Sequence, residues 1–172
     1  MRIETENLII RNFELKDEED LCEYMLQRVN AEFERYEGFT REKGKDEIEY
    51  RSKSDEFYAI ELKSNHKVIG NVYLGNRDFN SRELGYVLNE KYQRMGYGSE
   101  ASNAAIAYMF EHGTHRIFAE CCPKNTASWK TMEKLGMKKE AHFIKNFAPR
   151  KDSNGNPIYW DTYVYAILNP NE

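Results

Sequence analysis

The 172-residue sequence predicts a mixed α/β fold, a sheet of about seven strands with helices on both faces. Three observations predict it. Two strand-like runs, 57–62 and 68–74, are separated by only five residues, as in an antiparallel hairpin. An apolar run, Leu84-Gly85-Tyr86-Val87-Leu88, is followed by a glycine-rich turn, a helical pattern and another strand-like run, the order of a βαβ unit. Two further strand patterns close the chain, so hairpins and a parallel crossover share one sheet.

Taken in order, residues 5–11 read as a strand. Asp17-Glu18-Glu19-Asp20 then supplies a cap and first-turn acids for a helix carrying Leu21, Tyr24, Met25 and Val29. The stretch 32–54 is polar and suits one or two short helices with loops. After the hairpin and the strand 84–88, a helix runs from about Ser99 to His112, with Ala101, Ala104, Ala105, Tyr108 and Met109 on one stripe; Gly113 stops it. Residues 117–122 form a strand. Asn125 caps a helix to Leu135, ended by Gly136, in which Trp129, Met132 and Leu135 fall at core spacing. The last strands lie near Phe143 and over 162–168, and Lys151-Asp152-Ser153-Asn154-Gly155-Asn156-Pro157 between them is a turn signal.

Length and composition suit one domain spanning 1–172. Apolar residues make up 40% of the chain, enough for a core, yet no run approaches the ~20 residues of a membrane span. With no signal-peptide pattern, the expected setting is cytoplasmic, away from membranes. Cys22, Cys121 and Cys122 are odd in number and lack metal spacing, so they read as reduced packing residues rather than a catalytic thiol. His66, His112, His115 and His142 form no zinc pattern, and no metal is expected. The net charge of -4 speaks against direct nucleic-acid binding. Residues 1–60 hold 17 acidic against 10 basic side chains, whereas the remainder holds 12 against 15. An acidic first third suits a cationic partner, although solvated helix faces explain such charge equally well.

The chemistry-bearing segment is Gln93-Arg94-Met95-Gly96-Tyr97-Gly98-Ser99-Glu100-Ala101. It places backbone N–H groups without intrahelical partners, and the positive end of the helix dipole, where phosphate oxygens bind. Gly96 and Gly98 allow close backbone approach and positive φ. Gly96-x-Gly98-x-x-Ala101 also satisfies the dinucleotide fingerprint, with Glu120 about 20 residues on as a ribose-binding acid. Against that reading, a polar hexapeptide separates strand and glycines, strands precede the unit, and too little chain follows for a second mononucleotide half.

Gln93 to Gly98 resembles instead the Q/R-x-x-G-x-G/A signature of the GNAT superfamily of N-acetyltransferases. Asn125-Thr126-Ala127-Ser128 through Lys134-Leu135-Gly136-Met137 is similar to that superfamily's second motif. Thr5-Glu6-Asn7-Leu8-Ile9-Ile10-Arg11 and Asp161-Thr162-Tyr163-Val164-Tyr165-Ala166-Ile167-Leu168 resemble the first and last strands of its ribosomal-protein N-terminal acetyltransferase branch. The resemblance covers nearly the whole chain. It implies a mostly antiparallel sheet splayed between its fourth and fifth strands, with acetyl-CoA as cosubstrate in the opening. The implied cofactor contacts are Val87 and Leu88 through their backbone, the run Gln93, Arg94, Met95, Gly96, Tyr97, Gly98 and Ser99, and Asn125 on the pantetheine arm.

Acetyl transfer needs a neutral amine, donors for an oxyanion and a departing thiolate, which leaves partly unaided because its pKa is about 8.5. Glu83 opens the strand before the turn, alternates with Gly85 and Val87, and matches the position of a catalytic glutamate in many GNAT proteins; an exposed strand-end acid is the plainer account. Asn125 is a good helix cap in its own right. Ser128 is, by resemblance, an acid or sulfur contact. Met132 stands where many GNAT enzymes carry a tyrosine acid, a departure shared with the ribosomal-protein branch. Phe33, Tyr36 and Phe39 either line an acceptor pocket or pack their segment down. The implied partner is an amine acceptor: a peptide or protein α-amine, or else a polyamine or aminoglycoside-like amine, with a homodimer left open. A CoA-binding regulatory module without turnover is the rival of another class.

Overall fold

Alternating side chains build one eight-stranded sheet that helices cover from both sides. The computed structural model describes residues 1–29, 31–33 and 38–171. Its strands are β1 (Arg2–Glu4), β2 (Leu8–Asn12), β3 (Phe57–Leu62), β4 (Val68–Arg77), β5 (Ser81–Leu88), β6 (Arg116–Cys121), β7 (Lys138–Lys151) and β8 (Pro157–Leu168). The helices are α1 (Glu18–Arg28), α2 (Gly44–Lys53), α3 (Tyr97–Glu111) and α4 (Thr126–Lys134). Strand order is β1-β2-β3-β4-β5-β6-β8-β7. Among the described residues only β5 and β6 pair in parallel; the other neighbours are antiparallel.

The period of two decides which residues meet which helix. Leu8 and Ile10 of β2, Tyr58 and Ile60 of β3, Leu84 and Leu88 of β5, and Ile117 and Ala119 of β6 share one core cluster. Ala101, Ala105, Ile106, Met109 and Phe110 of α3 pack on it, joined by Met132 and Leu135 of α4. Ala59, Val68 and Val87 belong to the other cluster, with Leu21, Tyr24 and Met25 of α1 and Ile48 of α2. Burying each large side chain of this kind stabilises by about 1.5–3 kcal/mol.

Two polar ties fix how the helices join the sheet. Arg11 of β2 makes a two-pronged ion pair with Asp17 at 2.7 and 2.9 Å and bonds Glu61 of β3 at 2.6 Å through Nε, all three side chains being buried. Glu100 of α3 accepts from Thr5 Oγ1, from Asn7 N at 2.9 Å and from Asn7 Nδ2 at 3.1 Å, holding the β1–β2 turn to the helix. Burial works against that carboxylate's charge, but these bonds prevail and its pKa is lowered.

Several expectations are corrected. The strand expected over 5–11 begins only at Leu8, because residues 5–8 turn, and a further strand, β1, lies before that turn. With β1 added to the expected strands the sheet has eight among the described residues, and the parallel pair comprises the fifth and sixth. The hairpin between β4 and β5 turns through Phe79 and Asn80, both at positive φ (57° and 55°), a turn the sequence did not signal. The strand near Phe143 is the fourteen-residue β7, which pairs with β8 alone and shifts register at three places. Among the described residues, no helix is long and apolar enough to cross a membrane.

Candidate active site

β5 and β6 stay in register only over Ser81↔Arg116, Arg82↔Ile117 and Glu83↔Phe118. Beyond Glu83 the strands part, and a cavity of about 760 Å³ opens there. The edge of β5 along it has a definite polarity. Asn89 N–H donates to Ile69 O at 2.8 Å. Counted back along an antiparallel ladder, that pair turns the backbone groups of Val87 towards β4 and those of Tyr86 and Leu88 towards the opening. Gln93 Nε2 accordingly reaches Leu88 O at 3.2 Å.

The turn after β5 is shaped by two left-handed residues, Arg94 at φ 63° and Gly96 at φ 88°. Backbone of this kind gathers amide groups into an anion-binding concavity. Glu100 N–H makes the first helical bond, to Gly96 O at 2.9 Å, so the amides of Tyr97, Gly98 and Ser99 precede it. A Cβ at Gly98 would stand 3.3 Å from Leu88 Cδ1, a tight approach to which the leucine side chain would have to yield. These features fit a pyrophosphate: donors, a positive helix end and little side-chain bulk.

Of the residues proposed from sequence, Glu83, Leu88, Gln93, Arg94, Gly96, Gly98, Ser99, Asn125 and Ser128 line the cavity. Val87, Met95 and Tyr97 do not. The Val87 side chain is buried in the core under α1 and α2, Met95 is exposed, and Tyr97 packs on the α3 side of the sheet. Asn125 Oδ1 accepts from Ser128 N at 3.2 Å and so caps α4.

Tyr86 and Cys121 line the cavity although sequence reasoning left them out of the site. Tyr86 OH donates to Ser128 O at 3.2 Å, bridging the opening from β5 to α4. The signal for Tyr86 was its alternation with Leu84 and Leu88. Cys121 bonds the Ser128 side chain; burial pushes its pKa up to about 11 against that bond, which keeps it a neutral thiol at neutral pH. All three cysteines are free.

Glu83 carries an ion pair with the Arg77 guanidinium, which also donates to Tyr73 OH at 3.5 Å. Beyond Glu83 the cavity is walled by aromatic side chains. Phe33 meets Trp160 edge to face with centroids 6.0 Å apart, and Phe147 stands directly opposite Trp160 in the β7–β8 ladder. Arg150 Nη2 donates to Ala31 O at 2.7 Å, strapping the segment after α1 to the ribbon. Of the three aromatics proposed for an acceptor pocket, Phe33 lines the cavity, Phe39 packs on the core under α1 and α2, and Tyr36 lies outside the described residues. His142 pairs with Asp161 at 2.8 Å, and among the described residues no group of three or more His, Cys, Asp or Glu is placed to hold a metal.

Comparison with known proteins follows the same geometry. The profile of the Acetyltransferase (GNAT) domain matches residues 7–138. The uncharacterized N-acetyltransferase YnaD of Bacillus subtilis (strain 168) is 37% identical over 175 residues, spanning 98% of this chain and 97% of that protein. A GNAT-family acetyltransferase from Bacillus anthracis superposes with a TM-score of 0.88 at 34% identity, covering 98% of this chain and 99% of the other. The ribosomal protein uS5-alanine N-acetyltransferase of Escherichia coli (strain K12) is 39% identical over 74 residues, 42% of this chain and 37% of that one. The splayed sheet, the glycine turn at its opening and these likenesses agree: the chain belongs to the GNAT family of acetyl-CoA-dependent N-acetyltransferases.

Proposed function

We propose that this acetyltransferase transfers the acetyl group of acetyl-CoA to the α-amine of a peptide or protein in the cytoplasm. The observation carrying the proposal is the two-sided opening between β5 and β6. On the α3 side stand the glycine turn and the cap of α4; on the other stand Glu83 and the aromatic wall of Phe33, Phe147 and Trp160. The 39% identity to the uS5-alanine enzyme over 74 residues supports an α-amine as the acceptor.

The residues divide the work as follows. Arg94 and the amides from Gly96 to Ser99 hold the pyrophosphate, and Gln93 braces the turn through its bond to Leu88 O. The Tyr86 and Leu88 backbone groups, turned to the opening, bond the pantetheine arm and meet the oxyanion as the carbonyl becomes tetrahedral. Val87 acts through its place in the strand, and Met95 and Tyr97 through the shape of the turn. Asn125 holds the start of α4 so that the Ser128 hydroxyl faces the sulfur. Glu83 takes the proton of the acceptor amine, directly or through a water. An α-amine, with a pKa of about 8 against 10.4 for a lysine-type amine, asks less of a carboxylate base.

Competition between a basic peptide with a free N-terminus, its N-blocked twin and spermidine tests the acceptor. Acetylation of the free peptide ahead of both rivals is expected. Equal rates for free and blocked peptide, or a preference for spermidine, would sink the proposal.

A further inference from the structure

Glu120 entered the sequence reading only as a ribose ligand in a dinucleotide fold that the structure does not have. Its true position is more telling. Ile117 and Ala119 of β6 belong to the α3-side core, so Phe118 and Glu120 point to the opposite face. Phe118 is the register partner of Glu83, which alternates with Leu84 and shares that face. Glu120 lies two residues further along β6, past the last paired rung. Glu83 and Glu120 therefore flank the parting of the strands on one face, and both line the cavity.

Their surroundings differ. Glu83 is engaged by Arg77. Glu120 is exposed to the cavity and makes no hydrogen bond or ion pair with a described residue. Of the other charged lining residues, Arg28 and Glu32 lie at and just after the end of α1, Asp161 is engaged by His142 at 2.8 Å and by Lys145 N at 2.9 Å, and Arg94 and Lys134 belong to the phosphate turn and to α4. Glu120 is thus a cavity-lining carboxylate with no cation on it among the described residues, whereas Glu83 and Asp161 are each engaged. Trp160 and Phe147 close that side with aromatic surface, which thins the water around a charge, and the Arg150 guanidinium stands over the Trp160 ring, 5.9 Å from its centroid.

We propose that Glu120 holds the ammonium of the incoming acceptor opposite Glu83, so that the enzyme selects cationic primary amines and presents the nitrogen to the base. Glu120 is thus an acceptor-binding residue, distinct from the proton-removing role of Glu83. The inference rests on amine acetylation as proposed above, and it holds for any primary amine that reaches this face.

The test compares wild type with Glu120→Gln and Glu120→Asp, using the free-N-terminus basic peptide and spermidine in parallel. A melting shift with CoA equal to that of wild type certifies that each variant is folded. Loss of a charge-assisted contact should raise KM for the acceptor about 10- to 100-fold in Glu120→Gln. The kcat and the KM for acetyl-CoA should hold, the signature of lost binding rather than lost chemistry, and Glu120→Asp should recover part of the affinity. An unchanged acceptor KM, or a fall in kcat at constant KM, overturns the proposal. If wild type acetylates spermidine but not the peptide, the peptide reading fails by itself, and the spermidine KM of Glu120→Gln then judges Glu120 by the same two outcomes.

Discussion

Single residues at the opening carry the sharpest predictions. Gly96 sits at φ 88° with no neighbour near its would-be Cβ, so its constraint is backbone conformation; Gly98 faces Leu88 instead. Gly96→Val should cost stability of about 1–2 kcal/mol from the left-handed backbone alone. Gly98→Val should cost less in backbone strain but press on Leu88 and Tyr86 and so displace the turn. Both should abolish the acetyl-CoA melting shift while circular dichroism stays native; a shift equal to wild type would separate the turn from cofactor binding. Glu83→Gln should lower kcat by roughly 10²-fold at neutral pH, with the loss shrinking as pH rises and the free amine predominates. Parallel pH profiles for variant and wild type would make Glu83 a bystander. Ser128→Ala should cost less, because the thiolate is an adequate leaving group; a loss matching Glu83→Gln would reverse their ranking.

At the level of elements, polar ties set the geometry that the hydrophobic pattern leaves free. Arg11 joins β2, the start of α1 and β3, and its partners Asp17 and Glu61 are buried with it. Arg11→Met leaves buried Asp17 without its cation and Glu61 with His66 alone at 2.8 Å, and should destabilise by about 3–5 kcal/mol, read by urea unfolding. A cost under 1 kcal/mol would mean that water replaces the guanidinium. Acid should loosen other ties. Glu23 of α1, bonded chiefly by Lys67 and further by Lys91, is held down at about 2, and Glu100 is lowered in the same direction. Folded pKa values below the unfolded ones mean that these groups stabilise fully above the unfolded value, near 4.5, and lose that contribution as pH falls towards 2. The urea midpoint should therefore drop across that window, and Glu23→Gln should flatten the drop. A variant with the wild-type acid profile would remove Glu23 from the account.

On the scale of the whole molecule, binding at the opening reaches the global transition. Acetyl-CoA at 100 times its Kd should add about 2.7 kcal/mol, which raises Tm by roughly 5 to 10 °C for a chain of this size. NADH should leave Tm unchanged, and the reverse pattern would restore the dinucleotide reading. The sequence made the glycine turn legible because strand, glycines and helix are contiguous, and each imposes a local constraint that residue type reveals. It made the α1 and α3 faces legible because Leu21, Tyr24 and Met25, or Ala101, Ala105 and Met109, repeat at helical spacing. β7 was barely legible: Lys138–Lys151 is mostly exposed and carries no clean alternation, and only its pairing with β8 makes it a strand.

By itself, the sequence determined most of the local elements, the glycine turn and the order in which they follow. Those properties arise from neighbours in the chain. Only the tertiary structure decided what stands across the opening. Glu120 joined Glu83 there through the β5–β6 register, Tyr86 came to bridge to Ser128, and Phe33 came to meet Trp160. Val87 showed the converse, since the same ladder that exposes Leu88 to the opening turns Val87 towards β4. Residues 33 and 160 lie far apart in the chain, and no local rule records that they meet. Strand register and the point where pairing stops are collective outcomes of packing on both faces of the sheet, and the end of the cavity beyond Glu83 is made almost wholly of such encounters.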